Sequence, residues 1–385
     1  MLSRAARATG VRTVTADIAI SGGPCIAGGV IVPRGPARVE IDATGLDILP
    51  GFIDVHGDAF ERAMAPRPGV ALPMGIAMAE LEAQLLAAGV TTAYLAVTLS
   101  WEAGLRSGAS YEMLRDAVLA RPAGAVPDLR LHVRFEAHNL DCLEMLLADI
   151  KAGHVHMLSF NDHTPGILRK LPNPVEVSKM VERAGQSYEE FCADARRAGA
   201  VPSEKIEEAT RLLAAAARDA GIPMASHDDA GPGERAAFRA LGVTISEFPT
   251  TVDVARDAVA HGEPTVMGAP NVVRGGSHTG WHGAEALVRE GSCSVLCSDY
   301  HYPSMLQSVY ILARNGSAGF EESVGLVTKN AATMARLEDR GTLGLGQRGD
   351  ILLVEPGDVP RLVAVIAAGR LAYLSPDGMG RVGVL

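Results

Sequence analysis

The chain has 385 residues, 48% of them apolar and 21% charged, and 35 Lys and Arg against 45 Asp and Glu leave a net charge of −10. That length and apolar share support a sizeable core and exclude a disordered chain. A negative balance without a basic block argues against nucleic acid or an anionic membrane surface as the main partner.

No apolar run approaches the roughly 18 residues of a bilayer span, and the first residues carry no secretory pattern. Five scattered cysteines (Cys25, Cys142, Cys192, Cys293 and Cys297) form no CxxC pair. The expectation is a reduced, cytoplasmic protein with no membrane association; the oligomeric state stays open, a homodimer being the commonest homo-oligomer.

Residues 11–47 read as short β segments between Gly, Pro and Asp turns. Apolar strands rich in Val, Ile and Leu then follow at Ile48–Val55, Thr91–Val97, Leu129–Glu136, His154–Phe160, Ile222–Ser226, Val243–Glu247, Thr265–Met267 and Ser294–Cys297. Helical patterns separate them, among them Ala77–Ala88, Tyr111–Ala120, Asp141–Lys151, Glu204–Ala220 and, after the last strand, Glu321–Met334. The connection from about Asn161 to Gly221 is long enough for extra helices near the mouth of the sheet. Residues 342–380 return to short β segments. Alternating strands and helices imply a parallel sheet, and eight strands close a barrel. The expected fold is α/β: a distorted TIM (β/α)8 barrel over residues 48–340, with residues 1–47 and 341–385 pairing into a small β-sandwich.

In such a barrel, chemistry sits where the strands end. The first strand ends in His56-Gly57-Asp58, whose alternation sends both side chains to one face, and imidazole with carboxylate suits a divalent first-row metal. Glu136 closes the third strand, Asp162 and His163 follow the fourth, and His227 ends the fifth ahead of Asp228 and Asp229. Glu247 ends the sixth, His278 follows the seventh, and Asp299 follows the eighth. Any one of these could be a cap or a solvated side chain; seven strand ends of eight together are not accidental. Arg62 and Arg67, in a proline-limited loop after the first strand, and Arg274 after the seventh are suited to phosphate contacts. His282 lies in the same glycine-rich stretch as Arg274 and His278. Gly344–Gly349 matches GxGxxG but precedes a β segment instead of opening a helix, so it fails the context of a dinucleotide site.

PGFIDVHGD, SHDD, CSDYH and the split flanking β segments resemble the amidohydrolase superfamily of metal-dependent hydrolases. More narrowly, HGDAFERAMAPRPGV (56–70), SFNDHTPG (159–166), SEFPTT (246–251) and GAPNVVRGGSHTGW (268–281) are similar to its diphosphatases of phosphonate breakdown. Those enzymes release pyrophosphate from α-D-ribose 1-methylphosphonate 5-triphosphate. The resemblance implies His56, Asp58, His227 and Asp299 as metal ligands, Asp299 also taking the proton of the attacking water. It implies Glu136 and Glu247 as further ligands, Glu247 standing where histidine is usual. One or two divalent ions would be held, with zinc the expected metal and manganese or iron the alternatives. His163 or His278 would assist the leaving group, while Arg62, Arg67, Asp162, Arg274 and His282 would contact a small phosphorylated substrate. The chain departs from the pattern at Ile167 and Leu168 after DHTPG, and at Gly57 and Ala59 around the ligand aspartate. An amide or cyclic amide hydrolase would share the metal core, and a non-catalytic metal-binding barrel would keep it without turnover.

Overall fold

The barrel strands are buried on both faces, which is why they read as nearly unbroken apolar runs; all ten residues of Val90–Leu99 are buried. In the computed structural model, which describes residues 16–276 and 283–384, eight parallel strands pair in sequence order. They are Phe52–Gly57, Val90–Leu99, Asp128–Glu136, Met157–Asn161, Met224–His227, Ile245–Glu247, Thr265–Gly268 and Val295–Cys297. Inward residues such as Ile53, Val55, Tyr94, Met157, Ile245 and Val295 fill the interior. Outward residues such as Phe52, Leu95, Leu131 and Leu158 pack under the helices.

Closure between the eighth and first strands is the distortion. Near the mouth, Asp299 N donates to His56 O and Asp58 N to Asp299 O, both at 2.9 Å. Lower down, a separate segment fills the gap: Leu296 N donates to Leu326 O at 3.0 Å and Ile53 N to Val327 O at 2.9 Å. Those carbonyls are therefore spent on the sheet and not on a helix. This explains why the expected helix Glu321–Met334 is two, Phe320–Gly325 and Lys329–Met334.

The expected strand Ile48–Val55 is also two. Asp47–Pro50 pairs with Ile351–Glu355 outside the barrel, while Phe52–Gly57 enters it. At the crossing, a Cβ on Gly51 would lie 2.3 Å from Thr91 Oγ1, so only glycine fits. Asp47–Pro50 joins Ile351–Glu355, Arg361–Ala367 and Arg370–Leu374 in a four-stranded sheet. Val382–Val384 joins Ala16–Ile20, Cys25–Ala27, Val30–Val32 and Ala37–Ile41 in a five-stranded one. Each sheet draws strands from both ends of the chain, and Ile18, Ile20, Ile26 and Ile41 of one pack against Ile351, Leu353, Val363 and Ile366 of the other. The Gly344–Gly349 stretch is stitched to the sandwich through Gly346 N to Ile31 O and Gly349 N to Gly29 O.

The long fourth connection holds helices Thr164–Lys170, Pro174–Ala184, Tyr188–Gly199 and Ser203–Asp219. The first three share a satellite core of Ile167, Leu171, Val177, Phe191 and Ala195, with Trp101 against it. Among the described residues, no helix is long and apolar enough to cross a membrane.

Candidate active site

Two groups of donors converge at the carboxyl ends of the strands: His56, His132 and Glu247, all buried, and His163, His227 and Asp228, partly buried. Within each group one ligand atom per residue lies within 4.8 Å of the others.

The first group is built on three strands: by alternation at His132 and Glu247, and at His56 where the first strand's register shifts between Asp54 and Gly57. His132 Nδ1 meets the Val55 carbonyl at 3.0 Å, which leaves Nε2 facing inward, 3.9 Å from Glu247 Oε2. His56 Nδ1 and Glu247 Oε1 approach to 2.8 Å, yet neither they nor His132 Nε2 and Glu247 Oε2 make a hydrogen bond. These donors lie within 4.8 Å of one another without satisfying one another. Orphaned buried polar atoms cost stability, so their convergence marks a ligand position. Burial, helped by Arg134 and His227, holds His56 well below the usual histidine range, and burial takes His132 down to about 4. Both rings are therefore neutral and offer lone pairs. Two neutral imidazoles and a carboxylate fit a divalent first-row ion.

The second group is organised by charge. His163 Nδ1 lies 3.0 Å from Glu136 Oε2 and its Nε2 3.6 Å from Asp228 Oδ2. Burial alone would lower the His163 pKa, but Asp228 and Glu136 lift it to about 9. Asp228, though burial pushes it the other way, is held well below the usual carboxylate range by His227 and His163. His227 stands between them, with Nδ1 3.2 Å from Asp228 Oδ2 and Nε2 3.1 Å from Arg134 Nη2.

Asp58 and Asp299 are joined at the rim by the backbone bond that closes the barrel. Burial, then the charges of Asp58, Asp54 and Glu247, raise the Asp299 carboxyl to about 7 against the pull of Arg134. Beneath it, Asp54 accepts from Ser298 N at 2.9 Å and Ser298 Oγ at 2.5 Å, and burial lifts its carboxyl to about 6. Asp228 and Phe248, directly after their strands, and Asp299, two residues past its own, have φ of 63°, 53° and 53°. Left-handed backbone at a non-glycine residue is strained and concentrates at functional sites. The Phe248 ring so placed covers His56 and His227, with centroids 4.9 and 5.2 Å away.

The structure thus gathers His56, Glu247, His227 and His163, with Asp58 and Asp299 at the rim. Glu136 is held differently from the ligand role: Oε1 accepts from His163 N, Thr164 N and Thr164 Oγ1 at 2.7, 3.2 and 3.2 Å, and Oε2 faces His163. It caps the helix at Thr164 and seats His163. Asp162 is exposed and reaches His138 Nε2 at 3.3 Å, outside both donor groups. Arg62 is exposed and donates to Tyr300 O at 2.6 Å; Arg67 and Arg274 are also exposed. Arg274 ends a helix, Ala269–Arg274, that separates the seventh strand from the glycine-rich stretch. His278 and His282 lie outside the described residues.

Sequence reading passed over His132, Arg134 and Asp54. The signal for the first two was present: in His132-Val-Arg134-Phe-Glu136 the same alternation that directs Glu136 inward directs the other two.

No family model matches the chain. It is 33% identical over 333 residues to the alpha-D-ribose 1-methylphosphonate 5-triphosphate diphosphatase of Escherichia coli (strain K12), covering 83% of this chain and 85% of that protein. Among solved structures it resembles a triazine hydrolase variant, with TM-score 0.57 and 14% identity over 90% of this chain and 89% of that one. A Xaa-Pro dipeptidase matches with TM-score 0.55 and 15% identity over 91% and 94%. The N-acetylglucosamine-6-phosphate deacetylase of Thermotoga maritima matches with TM-score 0.53 and 15% identity over 91% and 94%. At these identities the solved structures speak for the fold. The relationship to the Escherichia coli enzyme does more: the chain belongs to the family of α-D-ribose 1-methylphosphonate 5-triphosphate diphosphatases, metal-dependent hydrolases of the amidohydrolase superfamily.

Proposed function

We propose that this chain hydrolyses a phosphoanhydride bond of α-D-ribose 1-methylphosphonate 5-triphosphate and releases pyrophosphate. The observation that carries the reading is the set of buried, unpartnered donors on His56, His132 and Glu247 at the barrel mouth of a chain with this family membership. His56, His132 and Glu247 would hold one divalent ion, with His227, Asp58 and Asp299 the candidates for completing that site or a second one. A bound divalent ion lowers the pKa of water and offsets charge on phosphoryl oxygens.

The remaining chemistry falls to side chains. Asp299 has a carboxyl raised to about 7 and a backbone that turns it at the strand end, which suits it to take a proton near neutral pH. His163, lifted to about 9 between Asp228 and Glu136, carries a proton it can give to the leaving oxygen. The exposed Arg62, Arg67 and Arg274 would draw a polyanion toward the mouth.

The test is a panel: the metal-loaded protein is given this triphosphate, a dipeptide and an N-acetylated sugar phosphate, with products followed by phosphorus NMR and chromatography. Pyrophosphate release from the triphosphate, abolished by chelation, is the expected result. Cleavage of an amide without pyrophosphate release would overturn the reading.

A further inference from the structure

Three arginines in the described structure are buried: Arg134 at 6%, Arg235 at 0% and Arg340 at 8% exposure. A buried guanidinium cannot shed its charge, so it is ordinarily paired with carboxylates. Arg340 follows that rule, with Asp128 at 2.7 Å and Asp339 at 2.8 Å. Arg235 follows it too, with Glu263 at 3.1 Å and Asp229 at 3.4 Å. Arg134 does not. Neither of its partners is a carboxylate: they are His227 Nε2 at 3.1 Å from Nη2, and the Asn161 amide oxygen, at 3.3 Å from Nε and 3.2 Å from Nη2 once that amide is turned to face it.

Among the described residues no carboxylate lies within 4 Å of the Arg134 guanidinium. Its position gives that missing partner a meaning. Arg134 sits on the third strand between His132 and Glu136, each two residues away on the same face. His132 belongs to the first donor group, and Glu136 seats His163 of the second. The guanidinium therefore lies against His227 of the second group, on the strand face it shares with His132 of the first.

We infer that Arg134 is a phosphate-binding residue whose counter-ion is the substrate's own triphosphate. The inference rests on the diphosphatase reading for the identity of the substrate, but its chemistry is that of any oligophosphate. A planar guanidinium matches two phosphoryl oxygens at once, and a site already stripped of water strengthens that contact. Leaving the charge unpaired in the free protein costs stability, and substrate binding recovers it. This makes Arg134 selective for a polyanion over a neutral amide.

The experiment uses the full-length, metal-loaded protein, its Arg134→Met and Arg134→Lys variants, and inorganic triphosphate as the probe. Binding is followed by calorimetry, metal content by elemental analysis and folding by thermal unfolding. Arg134→Met is expected to keep its metal and to unfold no lower than the parent, since it removes a buried charge that no carboxylate contacts. It should bind inorganic triphosphate on the order of 100-fold more weakly, with Arg134→Lys in between. Triphosphate binding unchanged in Arg134→Met would overturn the inference. So would loss of metal in both variants, which would make Arg134 a positioning residue for His227. If the parent binds inorganic triphosphate through Arg134 yet fails to release pyrophosphate from the ribose triphosphate, the inference stands and the diphosphatase reading falls.

Discussion

The fifth and sixth barrel strands present two faces of opposite character. Inward, His227 and Glu247 carry buried atoms without hydrogen-bond partners, and the nearest guanidinium, that of Arg134, has no carboxylate beside it. Outward, one residue earlier on each strand, Ser226 Oγ and Ser246 Oγ both donate to Asp229 Oδ2, at 2.5 and 3.3 Å. Arg235 caps this outward cluster, donating to Ser226 Oγ and to the carbonyls of Val243 and Ile245 while paired with Asp229 and Glu263. Both faces are polar and buried; they differ in whether charge is balanced within the chain. Balanced charge ties the strands together and fixes where His227 and Glu247 stand. The outward face too leaves Asp229 Oδ1 without a hydrogen bond, so it is the convergence of donors from several strands beside a guanidinium lacking a carboxylate that marks the working face.

The largest expected effect comes from breaking the balanced face. Arg235→Met would leave Asp229 buried without its cation, while Glu263 keeps Arg239 at 2.7 Å, at a cost of about 3–5 kcal/mol. Chemical denaturation of the metal-free protein checks this. A variant as stable as the parent would mean the outward network is incidental.

The buried Asp54 carboxyl, on the first strand beneath Asp299, should behave in the opposite sense. Asp54 has a folded pKa of about 6, raised by burial above the ordinary carboxylate value of 3.8. A carboxyl raised on folding contributes its stability below about 4, and that contribution fades as pH climbs through about 6. The metal-free parent should therefore lose stability across that window, by on the order of 3 kcal/mol, and Asp54→Asn should flatten the loss. Unfolding midpoints measured from pH 4 to 8 would show it. Identical profiles for parent and variant would remove Asp54 from the account.

Much of this division was legible in the sequence. Eight apolar runs, seven of them ending in a His, Asp or Glu, located the mouth, since a parallel strand's burial and its terminal side chain are both local facts. The breaks at Gly51 and at Leu326–Val327 were not legible, because both answer to distant partners: Thr91 and Asp350 crowd the first, and the unpaired edges of the first and eighth strands claim the carbonyls of the second. Glu136 ends its strand as expected, but its oxygens go to His163 and Thr164, a choice set by the following helix and not by its own strand. His132 and Arg134 were readable by alternation and were hidden by an outwardly ordinary strand pattern. Asp228 was in view, yet its turn toward His163 depends on a left-handed backbone that its residue type does not announce.

If the inward face holds a divalent ion, anomalous diffraction from zinc-soaked crystals should place it in the parent against His56 Nδ1, His132 Nε2 and a Glu247 oxygen. In the Glu247→Gln variant that peak should be lost, or zinc affinity by titration weakened at least tenfold. A parent whose ions avoid these three side chains, or a Glu247→Gln protein that binds the ion there as tightly, would contradict it.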